Sequence, residues 1–170
     1  MKFKEILKVV LSAVIIAFVI NNFLVVNVTI PSSSMEPTMM INDRLFALRP
    51  AYSFDDPKRG DIVVFNKPDS DVLYVKRILG LPDEVLEIKN GIIYINDVAL
   101  EFDFTDNQTI GNYGPVTIPK DSYFMMGDNR TNSNDSRYWS FTFIRSEDII
   151  GKILIKYYPD IKLLGGNDGQ

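Results

Sequence analysis

The 170-residue chain contains no cysteine and no histidine. The first absence excludes disulfides and thiolate nucleophiles. The second excludes a Ser-His-Asp triad. Together they exclude a Cys-His dyad and the usual zinc ligand sets. Proton transfer near neutral pH then falls to a Lys, Asp, Glu or Tyr of perturbed acidity. Basic residues are also outnumbered, at 18 Lys+Arg against 22 Asp+Glu. That balance argues against nucleic acid as a partner, since a nucleic-acid binder presents a basic surface. The hydrophobic share of 46 % excludes a disordered chain. The length fits one domain.

Near the N-terminus, Val9 to Ile20 reads VVLSAVIIAFVI without a charge, and Phe23 to Val26 extends it. Ile6 to Val28, taken as a helix, would measure about 34 Å, enough for a hydrocarbon core of about 30 Å. Lys2, Lys4 and Lys8 precede the run, with Glu5 alone opposing them. The positive-inside rule keeps that end cytoplasmic and places the remainder of the chain outside. A cleaved signal sequence would need a small-x-small site after the run. NNFLVVNVTIP offers none. The expectation is a single-pass anchor over residues 1–28 and an extracytoplasmic domain over 29–170.

The domain itself reads as all-β. Asp61–Phe65, Val72–Leu79, Glu84–Ile88, Gly91–Ile95, Ser122–Met126 and Lys152–Tyr158 are rich in Val, Ile, Tyr and Phe. Turn formers separate them. Asn90-Gly91 predicts a hairpin with a type I′ turn. Ser146-Glu147-Asp148 predicts one short helical turn, and Gly165–Gln170 a loose tail.

Four segments carry candidate chemistry. Pro31-Ser32-Ser33-Ser34-Met35-Glu36-Pro37-Thr38 comes just after the membrane exit. On composition it reads as a polar linker, and a serine there becomes a nucleophile only beside a base. Lys76 can be that base if desolvation keeps it neutral. Strand alternation groups it with Val72, Tyr74 and Ile78, although a snorkelling or edge-strand lysine fits the same pattern. Gly127 to Arg137, GDNRTNSNDSR, is dense in loop formers. It reads as a hydrogen-bonded site loop or a solvated turn. It lacks the glycine and closing glutamate of a calcium loop. Arg59 to Phe65, RGDIVVF, reads as a turn feeding a core strand.

SSSMEPT, RGDIVVF, YVKRILGLP and GDNRTNSNDSR, in that order behind one anchor, resemble the boxes of the bacterial type I signal peptidases. The resemblance covers nearly the whole chain. It implies a mainly β, multi-sheet catalytic domain behind a single transmembrane helix. The implied activity is serine endopeptidase cleavage of signal peptides after small-x-small sites, without cofactor or metal. By motif, Ser34 would be the nucleophile and Lys76 the general base. Ser32 and the Ser34 N–H would form the oxyanion hole, and Ser133 would orient the lysine. Asp128, Arg77, Asp135 and Arg137 would support the site. Val28, Ile30, Pro31 and Val75 would line the substrate cleft. The implied partners are signal peptides of secreted preproteins, the lipid bilayer and the secretion translocon, at the cell membrane. This chain departs from the family pattern in three places. Asp83-Glu84 stands for Gly-Asp, Ser33 for Gly, and Thr131 for Asp.

Two other readings compete with this one. A self-cleaving Ser-Lys repressor needs an Ala-Gly site in its own chain, and the sequence has none. A tethered β domain that only binds peptides would have no use for both Ser34 and Lys76.

Overall fold

The computed structural model describes residues 3–100 and 111–164. The predicted tail, Gly165–Gln170, lies outside the described residues. A helix, α1 (Phe3–Val19), continues through a wider turn at Ile20–Leu24, and none of its residues is buried. Phe3–Leu24 is 22 residues long and contains an 18-residue stretch with a mean hydropathy of 2.2. Asn22 turns its side chain back to donate to Phe18 O at 2.8 Å. The chain then passes directly into β1 (Val25–Thr29). Val25 to Val28, counted with the span on hydropathy, are thus strand. β1 pairs in five-residue register with β2 (Arg44–Leu48), and Val26 and Val28 point into the core.

Ten more strands succeed these in chain order: β3 (Ile62–Asn66), β4 (Leu73–Gly80), β5 (Val85–Lys89), β6 (Ile92–Ile95), β7 (Val98–Ala99), β8 (Tyr113–Thr117), β9 (Ser122–Met126), β10 (Phe143–Arg145), β11 (Ile149–Tyr158) and β12 (Lys162–Leu163). The larger sheet runs β1-β2-β11-β3-β4-β9-β10, with β12 beside β11. The smaller runs β7-β6-β5-β8. The fold is therefore mainly β and multi-sheet, as expected. β1, β2, β8 and β10, and the two-residue β7 and β12, were not among the predicted strands.

The central strands are buried on both faces. Along β3, Ile62 and Val64 enter one cluster with Val26, Val28, Ile30, Met35, Leu45 and Val75. Val63 and Phe65 enter a second, with Tyr123, Met125 and Trp139. A third cluster joins Leu79, Phe124 and Met126 to Leu86, Ile88, Ile93 and Ile95 of the smaller sheet. Each such buried side chain contributes roughly 1.5–3 kcal/mol. The β5–β6 hairpin pairs Lys89 with Ile92, and Asn90 and Gly91 have φ of 50° and 82°. Two positive φ values are what a type I′ turn requires.

Asp83 also has positive φ, 64°, a conformation glycine reaches freely and aspartate tolerates. Aspartate therefore holds this turn in place of the glycine that the resemblance led one to expect. Glu84 closes it, accepting from Leu81 N at 2.8 Å and pairing with Arg59 at 2.5 Å.

Candidate active site

Ser34 lies in a single 3-10 turn, Ser33–Met35, five residues beyond β1. The buried Ile30 and Met35 pin the two ends of this connection into the core at 2 % and 1 % exposure. Lys76 lies on β4, and β3 pairs with β4 along that stretch. β9 pairs with β4 only through Arg77, Ile78 and Gly80. Among the described residues, the other edge of β4 therefore has no strand partner from Leu73 to Lys76. Lys76 Nζ lies 2.6 Å from Ser34 Oγ and donates to Val75 O at 3.1 Å. Burial pulls the Lys76 ammonium down from 10.5 to about 8, against the opposing pull of the Asp135 and Asp128 carboxylates. The cause is desolvation, which disfavours the charged form.

A groove of about 570 Å³ opens over the pair. Val28, Ile30 and Pro31 line one side, and Val72, Leu73, Tyr74 and Val75 the other. Both faces of the β4 segment border the groove, because it opens at the strand's free edge. Ser32 Oγ lies 3.4 Å from Ser34 Oγ.

The loop Gly127–Arg137 packs beneath the pair. Asp128, fully buried, takes a bidentate pair from Arg77 at 2.8 and 2.7 Å and accepts from Thr38 Oγ1 at 2.5 Å. Asp135, also fully buried, binds Arg137 at 2.8 Å through both oxygens and accepts from Gly127 N at 3.0 Å. Each carboxylate is thus paired with an arginine, and Arg77 ties the loop to β4. Arg130, 1 % exposed, donates to Gly127 O at 3.1 Å.

Ser133 is placed differently from its expected role. It is buried against Gly127, and its Oγ has no hydrogen-bond partner among the described residues. The lysine amine turns to Ser34 and to Val75 O instead. The orienting bond from Ser133 to Lys76 is therefore not formed here.

The sequence reading missed Thr38, Asn129, Arg130 and Asn132. Asn129 donates through its side chain to Ser33 O at 3.1 Å and through its main chain to Ser34 O at 3.1 Å. In a loop this rich in Asn, Ser and Thr, no spacing distinguishes a gripping asparagine from a solvated one.

Comparison with known proteins agrees with the geometry. Residues 3–158 match the family described as "Signal peptidase, peptidase S26". A probable signal peptidase I-2 of Synechocystis is 40 % identical over 161 residues, covering 91 % of this chain and 73 % of the relative. Signal peptidase I P of Bacillus subtilis subsp. natto is 36 % identical over 163 residues, covering 90 % and 88 %. The crystal structure of a signal peptidase I from Enterococcus faecalis superposes with a TM-score of 0.50 at 30 % identity, over 58 % of this chain and 97 % of that one. A serine and a lysine at 2.6 Å, a β scaffold behind an apolar helix, and these relatives agree: the chain belongs to the signal peptidase family, peptidase S26.

Proposed function

We propose that this protein is a membrane-anchored serine endopeptidase that cleaves signal peptides from exported preproteins, with Ser34 as nucleophile and Lys76 as general base. The observation that carries this reading is the 2.6 Å contact between Lys76 Nζ and Ser34 Oγ. With a pKa of about 8, roughly one lysine in ten is neutral at pH 7. The neutral amine takes the Ser34 proton as Oγ attacks the scissile carbonyl. The Ser34 N–H and the Ser32 hydroxyl stabilise the oxyanion that develops. The resulting ammonium protonates the departing amine. Water, deprotonated by the same lysine, then hydrolyses the acyl ester.

Strand order supports a mode of substrate binding. Among the described residues, β1 is the outer strand of its sheet, and β4 has no second partner from Leu73 to Lys76. Every pairing from β1 through β2, β11 and β3 to β4 is antiparallel, so β1 and β4 have the same sense. An extended peptide fits between them as an added strand. Val28, Ile30, Pro31 and Val75 wall that slot, leaving room for small side chains such as Ala at P1 and P3. The apolar helix α1 sets the slot at the outer membrane face, with the lysine-bearing N-terminus inside. A signal peptide emerges there from the bilayer and, where present, from the translocon.

The test is a fluorogenic peptide ending its P side in Ala-x-Ala, cut by the wild type and offered to Ser34→Ala and Lys76→Ala. Both variants should lose turnover to a similar floor, since nucleophile and base act as one unit. A Lys76→Ala enzyme keeping more than about a tenth of the rate would refute the dyad, because removing a general base costs roughly 10²-fold or more.

A further inference from the structure

Among the described residues, three hydrogen bonds join the Gly127–Arg137 loop to Ser33 and Ser34. Asn129 N–H donates to Ser34 O at 3.1 Å. Asn129 Nδ2 donates to Ser33 O at 3.1 Å, and Asn132 Nδ2 to Ser33 Oγ at 3.0 Å. Ser33 O also accepts the Glu36 N–H at 3.1 Å, closing the 3-10 turn. The Ser33 carbonyl and the Ser34 N–H are opposite ends of one planar peptide unit. Whatever holds that oxygen therefore sets the direction of that N–H.

We propose that Asn129 is a positioning residue for the oxyanion hole: its side-chain amide clamps the Ser33–Ser34 peptide plane and so aims the Ser34 N–H before substrate arrives. The proposal rests on the reading of Ser34 as the nucleophile. Pre-aimed donors are the ones that stabilise developing charge without reorganisation at the moment of reaction. A donor on the carbonyl also polarises the shared peptide and strengthens its N–H. The orientation of the amide is fixed by chemistry, since Ser33 O can only accept. Thr131 Oγ1 lies 3.4 Å from Asn129 Oδ1 and donates to it, holding the amide in that sense. Thr131 and Ser33 add their own side chains to this arrangement. Both feed the clamp: the Ser33 hydroxyl gives Asn132 its acceptor, and the Thr131 hydroxyl steadies Asn129.

The experiment uses the full chain in detergent with Asn129→Ala, Asn129→Asp and Asn129→Ser, assayed on the Ala-x-Ala peptide. All three keep the main-chain bond to Ser34 O, and Ser33 O keeps its bond from Glu36. In Asn129→Ala and Asn129→Asp, kcat should fall roughly 10–100-fold, the scale of a slightly misplaced donor, with KM within about twofold. Asn129→Ser, with a short donor, should fall between these and the wild type. The apparent pKa of the rate should stay in place, because the clamp does not touch Lys76. Affinity for a peptide aldehyde, which forms a tetrahedral adduct on Ser34, should fall by the same factor as kcat/KM. The correspondence is required of whichever variants fold. A kcat within twofold of the wild type overturns the proposal. So does a loss of kcat with unchanged aldehyde affinity, or one that moves with a shifted pH profile. A wild type that leaves the peptide uncut, or a Ser34→Ala variant that cuts it, overturns the nucleophile reading instead.

Discussion

Replacing Lys76 by Met should exchange activity for stability, and the exchange should depend on pH. Lys76 is 4 % exposed, and burial draws its ammonium from 10.5 down to about 8. At about 1.4 kcal/mol per pH unit, that gap makes the protonated lysine cost the fold about 3 kcal/mol. The full cost applies below about pH 8, where folded and unfolded chains both hold the proton. Between about 8 and 10.5 the folded chain has released it and the unfolded chain has not. Wild-type stability therefore rises with pH across that window, and the cost is gone above it. Methionine carries no charge and has a similar volume, so the variant lacks the slope. It gives up the contacts with Ser34 Oγ and Val75 O, each contributing about 1 kcal/mol net. The variant should then be about 1 kcal/mol more stable than the wild type at pH 7, and less stable at pH 10. Urea unfolding of the full chain in detergent measures this. The single tryptophan, Trp139, is 7 % exposed and reports the transition. The wild-type kcat/KM should climb about tenfold per pH unit up to pH 7 and level off above about 8. A Met variant whose stability relative to the wild type is the same at pH 7 and pH 10 would refute the reasoning. So would a rate still climbing at pH 10.

The packing around the pair and the helix before it give two more expected outcomes. A Cβ on Gly127 would stand 2.3 Å from both Ser34 O and Ser133 Oγ, so Gly127→Ala must push the nucleophile segment aside. Its kcat should drop about 10²-fold, with about 1–3 kcal/mol of stability lost to overpacking; a variant with wild-type kinetics would show that the contact is easily relieved. Removing residues 1–24 should leave β1 and its core valines in place. The shortened chain should cut soluble peptides like the full one but process membrane-inserted preproteins more slowly, and equal rates on inserted substrates would show that the helix does not position the groove.

The sequence alone determined the elements whose cause is local. An uncharged apolar run behind three lysines makes a helix long and apolar enough to cross a bilayer. β-branched runs between turn formers make strands, and Asn-Gly makes its hairpin. The four boxes pointed to the family because residue types and their order survive in a linear reading. Other features were decided by tertiary contact. Val25 to Val28 continue the hydropathy of the apolar helix, and only pairing with β2 makes them a strand. Arg44–Leu48 has no β-branched residue and is held between β1 and β11. Tyr113–Thr117 carries Gly-Pro in its middle and pairs with β5 at the edge of its sheet. At the site, the sequence separates Ser34 from Lys76 by 42 positions. The lowered pKa of the lysine comes from burial, which a one-dimensional pattern does not contain. The roles of Asn129 and Asn132 are likewise invisible in a polar loop, because an amide in such a loop has no periodicity and takes its meaning from the carbonyl or hydroxyl the fold brings within reach.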